Sequence, residues 1–276
     1  MPEGWVGGVG RIIGRVILFG RKRRVIRNMR MVLERPAWGA HDWEELWRRH
    51  VDHLGLAVAE TLRHAASKPE DLRERLAIDG DGLLRAMLRR GKGAVVFVNH
   101  LANPVAVPLA LALAGHRVSV ATNVIPVPYL DEKSSELFER FGGTRVTVGG
   151  DVARVAEETL RGNGVFVGAI DYSSTQSHTA WVHFGKAELQ VSLAPALMAL
   201  MHGSAMFSAI VIPEGLSRYM VSLQPVVLLD AGGGPIDRAL AITRDAMRGV
   251  GEAVCHRPEQ WWRWDFPRIR SRPDST

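Results

Sequence analysis

From Ala94 onward, short apolar runs alternate with stretches of helical spacing, and this alternation constrains the fold more than any other feature. AVVFV (94–98), RVSVAT (117–122), RVTV (145–148) and VFVGAI (165–170) each have strand length. Helical stretches separate them near 104–114, at 132–143 with a glycine stop, and at 151–164 with an aspartate cap and a glycine stop. Farther on come a polar loop, the short WVHF, a buried helix over 191–201, strands near 205–212 and 218–229, and closing helices over 236–255 and 258–264. Strands that alternate with helices pair in parallel and gather functional groups at their carboxyl ends. The expectation is an α/β fold, a mostly parallel central sheet flanked by helices.

Residues 1–90 read differently, as helices. HDWEELWRRHVDHLGLAVAETLRHA (41–65) places Trp43, Leu46, Trp47, Val51, Leu54, Val58 and Leu62 at spacings of three and four, an amphipathic helix. DLRERL and GLLRAMLRRGKG add two shorter ones, the second stopped by Gly91. The chain therefore divides into a helical N-terminal extension (1–90) and an α/β core (91–276), within one compact unit. The longest uncharged stretch, 191–213, reaches membrane-span length, but Pro195 and the HGS at 202–204 break it into a buried helix and a buried strand.

Charge is concentrated at the start. Residues 1–30 carry eight basic groups (Arg11, Arg15, Arg21, Lys22, Arg23, Arg24, Arg27, Arg30) against Glu3, while the whole chain has a net charge of +6. The remainder is thus nearly neutral. Ile12, Ile13, Val16 and Ile17 share one helical face beside Arg11 and Arg15. Two readings stand: a peripheral helix on an anionic membrane surface, or the solvated start of a helical cap. Nucleic acid is not expected as a partner, because no nucleic-acid module pattern occurs and tyrosines number three. A single cysteine, Cys255, precludes an internal disulfide and fits a cytoplasmic, reducing location. The same arginines break any secretory signal.

Several motifs are excluded. GGVGRIIG (7–14) has the wrong glycine spacing for a dinucleotide loop and no strand before it. No zinc-like ligand spacing and no Gly-x-Ser-x-Gly elbow occur, so neither a metal nor a serine nucleophile is expected. Cys255 and His256 are adjacent, and adjacent helical residues point apart.

VVFVNHLANPVAV (95–107) carries the chemistry. The apolar run delivers His100 to the edge of the sheet, where an imidazole can act as general base. The amides opening the next helix can hold an oxyanion. A histidine so placed needs a group to orient its other nitrogen. Asp171, at the end of the strand VFVGAI, is the first choice because neighbouring strand ends converge on one crevice. Asp131 and Glu136 are weaker candidates.

The chain resembles the lysophospholipid acyltransferase superfamily, in the branch of bacterial lipid A late acyltransferases and mycobacterial mannoside acyltransferases. NHLANPV matches that family's His-x-x-x-x-Asp/Glu motif, often His-x-Gly-Asn-Trp-Glu, at His100 and Asn103, and departs from it at Ala102, Pro104 and Val105. GVFVGAIDYSSTQSHTAWVHFGKAE (164–188) is similar to its strand, acid and Phe-Gly-Lys-Ala segment. HRPEQWWRWDFPRIR (256–270) is similar to its closing Pro-Glu-Gln-Trp stretch, and RNMRMVLERP (27–36) to its helical lead-in.

The resemblance implies that His100 deprotonates an acceptor hydroxyl or amine. That group attacks an acyl thioester on coenzyme A or a carrier protein, with no cofactor or metal and no acyl-enzyme. The acceptor would be a glycolipid or a specialised metabolite. Val105 stands where the resemblance calls for an acid. Three accounts are open: another acid such as Asp171 substitutes, His100 works without one, or the scaffold binds an acyl or carrier ligand or runs thioester hydrolysis or cyclisation. Asn99, Asn103, Val105, Arg140 and Lys186 form the candidate substrate-binding set, with Arg145 and Arg218 as further cations. Trp261, Trp262 and Trp264 read as a packed or interfacial cap.

Overall fold

The computed structural model describes residues 3–124, 128–173, 178–227, 232–266 and 268–272, with side chains at 3–5, 129 and 130 left aside. The helices are α1 (Glu3–Ile17), α2 (Lys22–Val32), α3 (Ala40–Ala66), α4 (Pro69–Arg73), α5 (Asp81–Leu88), α6 (Ala106–Leu113), α7 (Pro128–Glu139), α8 (Val152–Arg161), α9 (Ala194–His202) and α10 (Pro235–His256). The strands are β1 (Leu76–Asp79), β2 (Ala94–Val98), β3 (Val118–Thr122), β4 (Thr144–Thr147), β5 (Val165–Ala169), β6 (Thr179–Phe184), β7 (Ala187–Ser192), β8 (Ala205–Gly215), β9 (Arg218–Pro225) and β10 (Ile269–Ser271). A central seven-stranded sheet has the order β1-β9-β8-β2-β5-β3-β4 and is parallel except at the β8–β9 hairpin. A small antiparallel sheet, β10-β7-β6, lies apart from it.

Alternation along β2 explains how the core divides. Val95 and Phe97 point to one side, where residues of α2, α3, α8, α9, α10 and the small sheet pack. Ala94, Val96 and Val98 point to the other, against α4, α5, α6 and α7. Strands buried on both faces read as unbroken apolar runs, and all five residues of β2 are buried. Helix α6 is likewise buried at every position, so its sequence AVPLALAL shows no polar face.

The structure differs from the sequence reading in four places. The helical reading of residues 1–90 is interrupted by β1, which pairs in parallel with β9 at the sheet edge. The closing helix expected over 258–264 is a single 3-10 turn, Pro258–Gln260, followed by irregular chain. Asp151 occupies the N-cap of α8 without capping it; its carboxylate instead pairs with Arg154 at 2.6 Å. The long uncharged stretch divides into helix α9 and strand β8 as expected, except that 191–192 close β7 rather than open the helix. Pro195 opens α9 and Gly203, at φ 61°, ends it. No described helix is long and apolar enough to cross a membrane.

Helix α1 lies against α3 through glycines. Gly10 and Gly14 face Val51, Gly55 and Leu56 so closely that a Cβ at Gly14 or Gly55 would collide with backbone. Gly10 and Gly14 of GGVGRIIG therefore serve helix packing, whereas Gly7 and Gly8 face open space.

Candidate active site

The register of the two central strands builds the site. Val98 of β2 pairs with Ala169 of β5, so the residues two positions beyond each, His100 and Asp171, leave the sheet side by side. His100 Nδ1 lies 2.7 Å from Asp171 Oδ1, and the His100 amide donates to Asp171 Oδ2 at 2.7 Å. The buried Trp261 indole donates to that same Oδ2 at 2.9 Å. The Asp171 carboxylate is fully buried and the imidazole is 22% exposed.

These contacts set the electrostatics. Burial by itself raises the Asp171 pKa, but the positive charge and hydrogen bonds of His100 and the Trp261 donor together outweigh it and hold the carboxyl below its ordinary value. An ionised carboxylate only accepts hydrogen bonds, so Nδ1 donates to it, and in the neutral ring the lone pair is then on Nε2. Among the described residues nothing hydrogen-bonds Nε2, and the ring lines an open cavity of about 810 Å³. Its walls are largely apolar, including Val105, Phe138, Phe166, Leu197 and Met198.

The loop after His100 is held from two sides. Residues 100–102 run antiparallel to 260–262: Trp262 N donates to His100 O at 2.9 Å, and Ala102 N to Gln260 O at 3.0 Å. From α3, His53 Nε2 meets Ala102 O at 3.3 Å. Trp262 Nε1 also donates to Ala102 O. Asn103 is fully buried; its amide donates to Ala57 O at 3.3 Å and Thr61 Oγ1 at 3.2 Å, while its Oδ1 accepts from Val105 N at 3.2 Å. Asn99 is fixed in the same way, donating to Ala209 O at 3.0 Å and accepting from Leu101 N at 3.1 Å. Both asparagines thus shape the loop, and neither lines the cavity.

Ala102 sits in the left-handed region at φ 56° and is fully buried. A Cβ there costs about 1–2 kcal/mol. Ala102→Val, which adds branching and volume, should lower the unfolding free energy by at least ~2 kcal/mol. Ala102→Gly should leave it within ~1 kcal/mol of the parent or raise it. Urea titration of the two variants measures this; a valine variant as stable as the parent would mean the loop is not held in this conformation.

The remaining sequence candidates fall elsewhere or serve other ends. Lys186 is exposed and pairs with Glu34 at 2.8 Å, away from the cavity. Arg140 binds the carbonyls of Ala65 and Ser67 at the end of α3 and stacks on Phe141. Arg218 is exposed at the start of β9. Arg145 does line the cavity, but it is held by Asp131, whose Oδ1 lies 2.5 Å from its Nη2. Glu136 pairs with Lys133, so neither alternative acid reaches His100. The opening amides of α6 are also taken: Ala106 N donates to Asn103 O at 3.1 Å and Val107 N to Pro104 O at 3.4 Å. Those amides and that of Val105 already have acceptors, which removes the expected oxyanion site there.

Trp261 is the residue that sequence reasoning missed. Read as part of a packed cap, it also supplies the third donor to Asp171. The only signal was its place in the Pro-Glu-Gln-Trp stretch.

A mostly parallel α/β sheet thus sets a buried carboxylate–imidazole pair at an apolar cavity, a geometry in which an imidazole can accept a proton from a ligand. The chain belongs to the bacterial lipid A biosynthesis acyltransferase family, whose sequence model matches residues 1–269. A search of curated proteins found no match. As a member of this family it is an acyltransferase, with an acyl donor and a lipid acceptor.

Proposed function

We propose that the protein transfers an acyl group from a thioester of coenzyme A or a carrier protein to a hydroxyl or amine of a glycolipid or specialised-metabolite acceptor. His100 acts as general base. The observation that carries this reading is the 2.7 Å contact between His100 Nδ1 and the buried Asp171 carboxylate, which leaves Nε2 facing the cavity. Nε2 takes the acceptor's proton as the oxygen or nitrogen attacks the thioester carbonyl carbon. The tetrahedral intermediate then collapses, the C–S bond breaks, and the imidazolium returns the proton to the departing sulfur. Asp171 orients the ring and stabilises its charged form. The Asp171 geometry favours the first of the three accounts of Val105, and the valine then forms part of the acyl pocket wall. The test is mass spectrometry of acyl transfer from candidate thioesters, parent against His100→Ala; transfer that survives the substitution would remove the base.

The reaction takes place at a membrane surface, on its cytoplasmic face. Opposite its glycine face, α1 exposes Ile12 and Val16; Ile17 at the helix end is partly exposed, and Phe19 follows at 87% exposure. Arg11, Arg15, Arg23 and Arg24 are exposed around them. Arg21 pairs with Asp265, two residues past the cavity-lining Arg263, so this basic apolar segment adjoins the cavity. Replacing Val16 and Phe19 by serine should weaken sedimentation with anionic liposomes by about 10-fold or more. Unchanged sedimentation would discard the membrane contact.

A further inference from the structure

Among the described residues, the charged side chains that line the His100 cavity are all cationic or imidazole: His100, Arg145, His178 and Arg263. The two arginines differ in one respect. Arg145 has spent all five of its N–H donors. Nε meets Thr122 Oγ1 at 2.6 Å, Nη1 meets Ser135 Oγ at 2.8 Å and Asp131 O at 3.2 Å, and Nη2 meets Asn123 O at 3.0 Å and Asp131 Oδ1 at 2.5 Å. Its charge is neutralised within the wall.

Arg263 has no carboxylate partner among the described residues, and its buried Nε has no hydrogen-bond partner. What holds it is stacking. Its guanidinium lies 5.2 Å from the Tyr172 ring centroid and 4.9 Å from that of Phe266. The two rings lie side by side, their centroids 5.7 Å apart, so both meet the guanidinium from one side, and cation–π contact of this kind does not use up the Nη donors.

Its neighbours place it beside the chemistry. Tyr172 directly follows Asp171, and Trp262, the residue before Arg263, donates its amide to His100 O. A fixed, unpaired guanidinium in an apolar cavity suits a planar, bidentate match to a phosphate. We propose that Arg263 binds a phosphate group of one of the two substrates, either on the thioester donor or on the lipid acceptor. This rests on the acyl-transfer reading, since it assigns the cavity to both substrates.

Isothermal titration distinguishes the sources, with coenzyme A as the donor-side probe and dodecyl phosphate as the acceptor-side probe. Pantetheine and dodecanol serve as their phosphate-free counterparts. Arg263→Gln should weaken one phosphate probe by about 10-fold or more and leave the phosphate-free probes unchanged. Loss confined to coenzyme A assigns the phosphate to the donor, and loss confined to dodecyl phosphate assigns it to the acceptor. Arg263→Lys keeps the charge without the fork and should lose less, about 3-fold; it carries the test should the glutamine variant fail to fold. Equal affinities in parent and variants for both phosphate probes would overturn the proposal, as would absence of binding by the parent. His100→Ala should bind as the parent does. If His100→Ala keeps full transfer activity, the base assignment falls while the Arg263 result stands.

Discussion

Asp171→Asn should lower the rate of acyl transfer by about 10⁴-fold, close to the effect of His100→Ala, because an amide facing Nδ1 no longer fixes the tautomer or stabilises imidazolium. The asparagine is nearly isosteric and can still accept from the His100 amide and the Trp261 indole, so the fold should survive. The loss should appear in kcat with little change in the KM of either substrate, since Asp171 is fully buried and does not line the cavity. Mass spectrometry of product at saturating thioester measures it. Full activity in Asp171→Asn would show that His100 works without a partner, or that the reaction runs elsewhere. Val105→Glu makes the complementary point. It places an acid where the resemblance calls for one, yet Nδ1 is already engaged, and the new carboxylate would stand in an apolar wall. It should reduce activity and should not rescue Asp171→Asn; rescue would mean position 105 can reach the imidazole after all.

The second large effect concerns acid stability. His50 and His64 of α3 are buried, and desolvation lowers each pKa from 6.5 to about 4. Their contacts work against this only in part: His50 Nδ1 donates to Glu259 O at 3.0 Å and His64 Nε2 to Ser217 O at 3.3 Å. Around His50 lie His53, which disfavours its charge, and Asp265, which favours it. Arg75 and Arg63 both oppose charge on His64.

The sign follows from which state binds the proton first. Below pH 6.5 the unfolded chain protonates these histidines and the folded chain does not, so stability falls as pH drops from about 6.5 to about 4. At pH 5, about 1.5 units into that window, the two together remove about 4 kcal/mol. Glu60 works the other way. Burial raises its carboxyl despite the Tyr219 and Ser217 donors, so the folded state takes up its proton first and part of the loss is offset. Asp171 adds a further loss at lower pH, as the fall passes through its depressed folded pKa. Urea unfolding at pH 7.5 and pH 5 measures the difference. His50→Gln should remove about half of the contribution of His50 and His64, to which the lowered pKa of buried His53 adds in the same direction. A double variant at His50 and His64 with an undiminished difference would refute the assignment.

The core of the site was legible because it is local to strand ends. His100 and Asp171 each close an apolar run, and parallel strands bring such positions together whatever lies between them. Arg140 and Lys186 misled for the opposite reason. Their partners, Ala65 and Ser67 for one and Glu34 for the other, lie far away in sequence, and no spacing rule shows that a cation is already engaged. Trp261 was hidden likewise, since only the return of the chain after α10 carries it to Asp171. The amides of α6 were misjudged because Asn103 was read as a substrate contact, whereas its carbonyl and side chain occupy that helix start. Strand β1 was missed because LAID is four residues of mixed polarity with one buried end, too short for alternation to register beside strong helical neighbours.

That short strand has a consequence for how the molecule can be divided. By pairing with β9, β1 closes one margin of the central sheet with residues that belong to the N-terminal region. A chain begun at residue 91 would leave the amides and carbonyls of β9 as an open template for another chain, the geometry that drives edge-to-edge association. The N-terminal region therefore supplies the short edge strand that covers part of β9.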